Sequence, residues 1–496
     1  MTLPKAAGQW TLLEAAHLLN RAGFGGSPSA IETFHTLGRE QAVESLLTPQ
    51  EPLDAFPAPA WCDEEVALTN LKSRQAKRKE LRKQVDGLPP EEAAEKRREA
   101  IKEFQKLNRQ QVIEAQGWWF RRMLTSEAPL REKMTLFWHD HFATSVQKVK
   151  QPLLVFRQNE LFRRKALGSF RDLTQQALLD PAMLLYLDLQ GSKKGMPNEN
   201  FAREVMELFT LGEGNYTEQD IREAARAFTG YQVNPLNSTV RHNSRQWDDG
   251  EKTIFGSTGK FNGGDVVNLI FEQKVPAHFM AKKLWRFFVD DEPSGATLEI
   301  LARNYQRENY NNSALLKEIF LSQEFYSEAA MRTQIKCPLQ YLVGLLKQLE
   351  IHEPPVGFPI TGQQQLGQTL FLPPNVAGWD WGQAWINTHT LLSRYNLAGF
   401  LTKGKTGEDE LISNKKQMGR GWAGPDYEKI ARRDLRKLPE ELVDSLLFRF
   451  FQGSIPEKAR RAFIDYAISK RGVIFTNQEV GELCHLILST PYYQLC

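Results

Sequence analysis

Two imidazoles separated by a single acidic residue, His139-Asp140-His141, are the first feature of this sequence with chemical potential. They end the run Arg131-Glu132-Lys133-Met134-Thr135-Leu136-Phe137-Trp138-His139-Asp140-His141-Phe142. Imidazole nitrogens ligate transition metals, so the pair is a candidate metal centre. On a continuous helix, residues two apart point about 200° away from each other. Only His141 would then share a face with Met134, Phe137 and Trp138. Both histidines reach one ion only if the helix ends near Trp138 or the segment is extended. Otherwise the pattern describes a core histidine beside an exposed one.

A second candidate lies at Asn198-Glu199-Asn200-Phe201-Ala202-Arg203-Glu204-Val205-Met206-Glu207-Leu208-Phe209. The spacing predicts a helix over 198–211, entered near Pro197 and stopped at Gly212 or Gly214. Glu204 and Glu207 are neighbours on its surface. Glu204 projects between Leu208 and Leu211, beside the apolar stripe, where an unpaired carboxylate is expensive. A metal would compensate it; so would Arg203, Arg222 or Arg226. Glu-x-x-His is absent from the chain, which argues against a di-iron carboxylate bundle. A mononuclear centre with His139, His141 and Glu204 as ligands fits better, with Zn, Mn or Fe as the divalent ion. Glu207 would then be a further ligand or the base that activates a bound water. Arg131 or Arg203 would orient an anionic substrate. Hydrolysis and metal-based oxidation both suit this set.

A third stretch, Phe371 to Asn387, crowds Trp379, Trp381, Trp385, Asn375 and Asn387 onto a Pro- and Gly-shaped loop. Indole faces and amides could line a pocket, with Asn198, Asn375, Trp379 and Trp385 as binding residues. The alternative is a loop pinned over the core by its aromatics. Walker, dinucleotide-binding, nucleophile-elbow and His-Glu-x-x-His signatures are missing, which argues against NTPases, NAD enzymes, serine hydrolases and ordinary zinc proteases.

The elements that must position these residues are helical. Apolar spacing at Leu12, Leu13, Ala16 and Leu19 predicts a helix that stops at Gly23. Ser27-Pro28 opens the next one, and Thr217 with Asp220 caps another. Residues 71–111 carry interleaved charges around the breaker Asp86-Gly87-Leu88-Pro89-Pro90, which predicts a helical hairpin projecting from the body. Such a hairpin is either a docking arm or a solvated helix pair. Residues 231–264 are rich in Gly, Asn, Ser and Asp and predict a small β-hairpin insertion. Residues 353–385 predict a long Pro/Gly/Trp-rich loop, and Lys403 to Asp426 a polar, mobile segment. The expected fold is mostly α, one large helical domain over residues 1–496.

Composition sets the outer limits. The 496 residues are 41% hydrophobic and 25% charged, an ordinary globular mix. Sixty-three basic against 60 acidic residues leave +3, too even to argue for nucleic acid as a partner of the whole chain. Four scattered cysteines, Cys62, Cys337, Cys484 and Cys496, form no C-x-x-C pair and no disulfide framework. The first ten residues lack an apolar run, and no later segment is long enough to span a bilayer. The expected location is the cytoplasm, unless another export route operates.

Five segments occur in order: HLLNRAGFG, LREKMTLFWHDHFATS, PNENFAREVMELFTLGEGNYTEQDIREAARAFTGY, FNGGDVVNLIFEQ with KKLWRFFV, and LPPNVAGWDWGQAWINTHTLLSRYN. Together they resemble the large bacterial family catalogued as domain of unknown function 1800, from about His17 to the last ten residues. The positions that carry the resemblance include Arg131, His139, His141, Asn198, Glu204, Glu207, Asn375, Gly378 and Trp379. The family pattern has a His-Asp pair near residues 247–248, where this chain has Trp247-Asp248. The resemblance implies a helical bacterial protein with a sulfatase-like protein as frequent neighbour or partner, and no established activity. Two functions are expected: a metal-dependent hydrolase or oxidoreductase, or a non-catalytic scaffold that binds a partner through the charged hairpin and the Trp-rich loop while its histidines and glutamates form a buried ion network.

Overall fold

Caps and prolines set the helix starts. Thr11 accepts from the Glu14 amide while the Glu14 side chain returns to the Thr11 backbone, and Thr217 and Asp220 repeat the reciprocal arrangement. Pro28, Pro90, Pro129 and Pro152 each open a helix, where a missing N–H leaves nothing unsatisfied. The computed structural model describes every residue except 1, 235, 236, 291, 403–421, 454, 471 and 473. Most of the expected polar segment Lys403 to Asp426 therefore lies outside the described residues. Twenty-three α-helices are formed among the described residues. The fold is mostly α, and one continuous cluster of buried apolar side chains runs from Leu3 to Tyr493.

The strands are confined to two short antiparallel ladders, Tyr231–Val233 with Val240–His242 and Lys252–Ile254 with Ser257–Gly259. Each is a separate two-stranded sheet. The second turns tightly at Phe255-Gly256, both with positive φ. The Trp247 loop is tied down by ions instead of imidazole: Asp248 accepts from Arg226 at 2.9 Å, and Asp249 from Lys194 at 2.5 Å.

The charged stretch forms two long helices, Glu64–Val85 and Pro90–Thr125. The second has two environments. From Gln111 onward it buries Ala115, Trp119, Phe120 and Met123 in the core; between residues 90 and 110 only Ala93 is buried. The residue types explain the division, because the outer part offers little apolar surface to bury.

Residues 353–385 depart from the expected loop. They contain a helix, Phe358–Leu366, started after Gly357 and stopped at Gly367, whose φ is 85°. Gly and Pro here punctuate a helix instead of excluding one. All four cysteines are free. No helix among the described residues is long and apolar enough to cross a membrane.

Candidate functional site

The histidine helix spans Pro129–His141 and remains α-helical through both imidazoles. The two rings therefore diverge, as residues two apart must. His139 is fully buried in an aromatic box, with ring centroids 5.2 Å from Trp119, 5.5 Å from Phe371 and 5.7 Å from Trp379. Burial, helped by the nearby Arg163 charge, pushes its pKa down to about 3. His141 faces elsewhere: Phe209 and Phe279 lie 6.1 Å and 6.2 Å away. Its Nε2 meets the Phe209 carbonyl at 3.0 Å and its Nδ1 meets the Lys283 amine at 3.0 Å. An ammonium can only donate, so Nδ1 accepts and Nε2 carries the proton. Burial first, then the Lys283 charge, lowers the His141 pKa well below its ordinary value.

Phe209 belongs to the glutamate segment, so the two motifs do meet, but not through their carboxylates. The α-helix Glu199–Met206 widens into a π turn over Glu207–Leu211 and stops at Gly212, φ 80°. The Gly212 amide donates to the Met206 carbonyl at 3.2 Å, and the Thr210 hydroxyl to the Val205 carbonyl at 2.6 Å. The widened turn presents the Phe209 carbonyl to His141. Glu204 and Glu207 stay half-buried at the surface side of the segment. Glu204 has a raised pKa, from burial first and then the Glu207 charge, against the opposing charge of Arg203. Glu207 accepts from the Tyr216 hydroxyl at 2.5 Å. Arg203 grips Glu218 with two bonds of 2.8 Å.

The expected ligand set of His139, His141 and Glu204 is not brought together. Among the described residues no group of three or more His, Cys, Asp and Glu could hold a metal ion. The reason is the intact helix: one imidazole turns into the aromatic box, the other toward Lys283. The remaining expected residues have structural partners. Arg131 donates to the Glu51 carbonyl at 2.9 Å. Asn198 caps its helix through the Phe201 amide at 3.0 Å. Asn375 accepts from the Ala377 amide at 2.8 Å, and the Trp385 carbonyl accepts from Thr390 at 3.0 Å.

The Trp-rich loop is nevertheless part of the same neighbourhood. The Trp379 amide donates to Asp140 at 2.7 Å. Gly378 makes this possible, because it has φ 87° and any β-carbon would lie 2.6 Å from the Asp140 carbonyl oxygen. The Val146 amide bonds the Phe371 carbonyl at 3.0 Å, so Phe371 and Trp379 together close over His139. Asp140 and Lys283 influence each other: burial raises the Asp140 pKa and lowers that of Lys283, and their mutual attraction opposes both shifts. Asp140, His141 and Lys283 thus lock three segments together: the histidine helix, the π turn and the Val275–Phe288 helix that supplies Lys283. Asp140 adds the Trp-rich loop as a fourth.

Two central residues escape a reading by motif. Lys283 stands four residues from both Phe279 and Phe287, on one helix face, a position that marks it as a polar group inside an apolar stripe. Glu132 has the same signature, four residues before Leu136 and seven before His139. It is fully buried between Arg122 and Arg163. Its Oε1 accepts from Arg122 at 2.9 Å and Arg163 at 2.8 Å; its Oε2 accepts from Arg163 at 3.0 Å and Trp119 at 3.1 Å. Burial pushes the Glu132 pKa up, but the two guanidinium charges outweigh it and hold the group ionised. The buried ion network of this protein is centred here, not on Glu204.

His139 gives a pH prediction. Its folded pKa lies far below the ordinary histidine value of about 6.5, so the unfolded chain binds a proton that the folded chain refuses. The penalty is small above pH 6.5 and grows as pH falls toward 3. In His139→Phe it is absent. The stability of the variant relative to the native chain should therefore shift by about 2 kcal/mol in its favour between pH 7 and pH 5. Urea unfolding at both pH values measures this double difference; a pH-independent difference would mean that the imidazole titrates normally in the fold.

No curated protein and no solved structure matches the chain. The family model described as "Protein of unknown function (DUF1800)" matches residues 17–495. That span holds the histidine helix, the π turn, Lys283 and the Trp-rich loop, and with nearly the whole chain covered, this protein belongs to the DUF1800 family.

Proposed function

We propose that this chain is a partner-binding scaffold and that the helical arm over residues 71–111 is its docking element. The observation that carries the reading is the arm itself. Two helices are extended into solvent at the expense of core contacts, and their surface is unbalanced. Residues 71–111 hold thirteen Lys and Arg against seven Asp and Glu. Between Lys72 and Lys83 the ratio is seven to one, Glu80 being the single acid. Lys77–Glu103, at 3.1 Å, is the one ion pair found in this stretch among the described residues, and both its side chains are exposed. Beside the charges, Ile101, Phe104 and Leu107 are 53%, 38% and 46% exposed. Basic charge around a few exposed apolar anchors suits an acidic protein surface with apolar recesses. Five glutamates on the Pro90–Thr125 side of the arm make a nucleic-acid backbone the poorer fit.

The metal-dependent hydrolase or oxidoreductase reading has less support, because its three expected ligands face three different surroundings. The sulfatase-like protein implied by the family resemblance is the first partner to test. In titration calorimetry, Arg78→Glu/Lys79→Glu/Arg82→Glu should weaken its binding by at least about tenfold and flatten the salt dependence. These side chains are exposed, so the variant should keep the native helix content. Equal affinity of the two forms would remove the arm from the interface.

A further inference from the structure

We infer that His139, Asn159 and Trp379 line an internal hydration site, a small polar chamber between the histidine helix, the Pro152–Lys165 helix and the Trp-rich loop, holding at least one ordered water molecule. His139 and Asn159 are fully buried and Trp379 is 4% exposed. Neither ring nitrogen of His139, neither amide atom of Asn159 and not the indole nitrogen of Trp379 has a hydrogen-bond partner in the protein. Buried polar groups are almost always bonded, and each one left bare is destabilising. Five such atoms on three residues would be a large penalty at the centre of a well-packed core.

The three residues come from elements that converge. The His139 and Trp379 rings lie 5.7 Å apart. Phe162, on the Pro152–Lys165 helix, approaches the imidazole at 6.4 Å, and the Arg163 charge acts on it. Asn159 stands three and four residues before these two, on the same helix face. The donor and acceptor inventory suits water. The neutral imidazole offers one donor and one acceptor, the amide offers both, and the indole offers a donor. A buried water typically makes about three hydrogen bonds. Trp119, Phe162 and Phe371 supply the apolar wall around His139.

The full chain, perdeuterated and labelled at tryptophan nitrogen, gives the direct test. The indole proton of Trp379, assigned by its loss in Trp379→Phe, should show magnetisation transfer from a long-lived water. Thermal unfolding at pH 7.5 gives the second readout. His139→Phe expels the water and strands Asn159 and Trp379, so its melting temperature should fall. Asn159→Leu should behave alike and replaces it if His139→Phe does not fold. An indole proton with no water contact overturns the inference whatever the melting temperatures do. A rise in melting temperature also overturns it, because in a dry chamber the apolar side chain would relieve a bare imidazole.

Discussion

Glu132→Gln is expected to destabilise the protein by about 3–5 kcal/mol, the range seen when one member of a buried ion network is removed. The loss comes from what remains. Arg122 and Arg163 are both at the floor of solvent exposure and together supply three of the four bonds to the Glu132 carboxylate. A neutral amide cannot balance two guanidinium charges, and its NH2 group would point a donor at donors. Arg163 keeps Glu160, and Arg122 keeps the Leu53 carbonyl at 3.2 Å, so the damage is partial and not total. Replacing all three together, Arg122→Met/Glu132→Leu/Arg163→Met, should recover most of the loss, because the desolvation cost leaves with the charges. Chemical denaturation of the single and triple variants checks both statements. A triple variant no more stable than the single one would mean that the network contributes net stability of its own.

Gly378→Ala is expected to cost about 2–5 kcal/mol. Alanine at φ 87° is strained by roughly 1–2 kcal/mol. The added methyl group also meets Asp140, adding the usual penalty of about 1–3 kcal/mol for overpacking. It meets the Asp140 carboxylate first and also the Asp140 backbone carbonyl oxygen, 2.6 Å away, which cannot swing aside as a side chain can. Relief requires lifting the loop, which breaks the 2.7 Å bond between the Trp379 amide and Asp140 and opens the wall of the His139 box. Indole fluorescence should therefore red-shift along with the loss of stability. By contrast Gly382→Ala, with φ 57° and nothing within 4 Å of the added carbon, carries the backbone strain alone. Equal costs for the two substitutions would mean that the Asp140 contact contributes nothing.

What the sequence made legible was periodic or punctuated. The helical class, the Asp86–Pro90 breaker and the Thr217–Asp220 cap are local patterns, and local patterns survive folding. The helix stop was legible to within two glycines, Gly212 or Gly214, and falls at Gly212. The π turn before it was not, because Glu207–Leu211 has the spacing of an ordinary helix and the turn's contact, the Phe209 carbonyl on His141, comes from a distant helix. The shared metal centre failed on a question that the spacing posed but could not decide, namely whether the helix stops at Trp138. It runs on to His141. The buried ion network found is centred on Glu132, a residue the motifs did not single out. Glu204 drew attention because it borders an apolar stripe, yet Glu132 and Lys283 sit inside theirs. Their partners, Arg122 and Arg163 for the one and His141 for the other, lie up to 142 residues away, beyond the reach of any short motif.

In this protein the histidines, Asp140, Lys283 and Glu132 brace the core, and the basic arm is the docking element we propose. The bracing role has a direct test in titration calorimetry of the intact chain with Zn, Mn and Fe(II), native and His139→Phe/Glu204→Gln side by side. Any weak heat is expected to be the same for both proteins, with no stoichiometric site. A one-to-one metal site in the native chain that disappears in the double variant would contradict the bracing role and restore a shared ion to the two motifs.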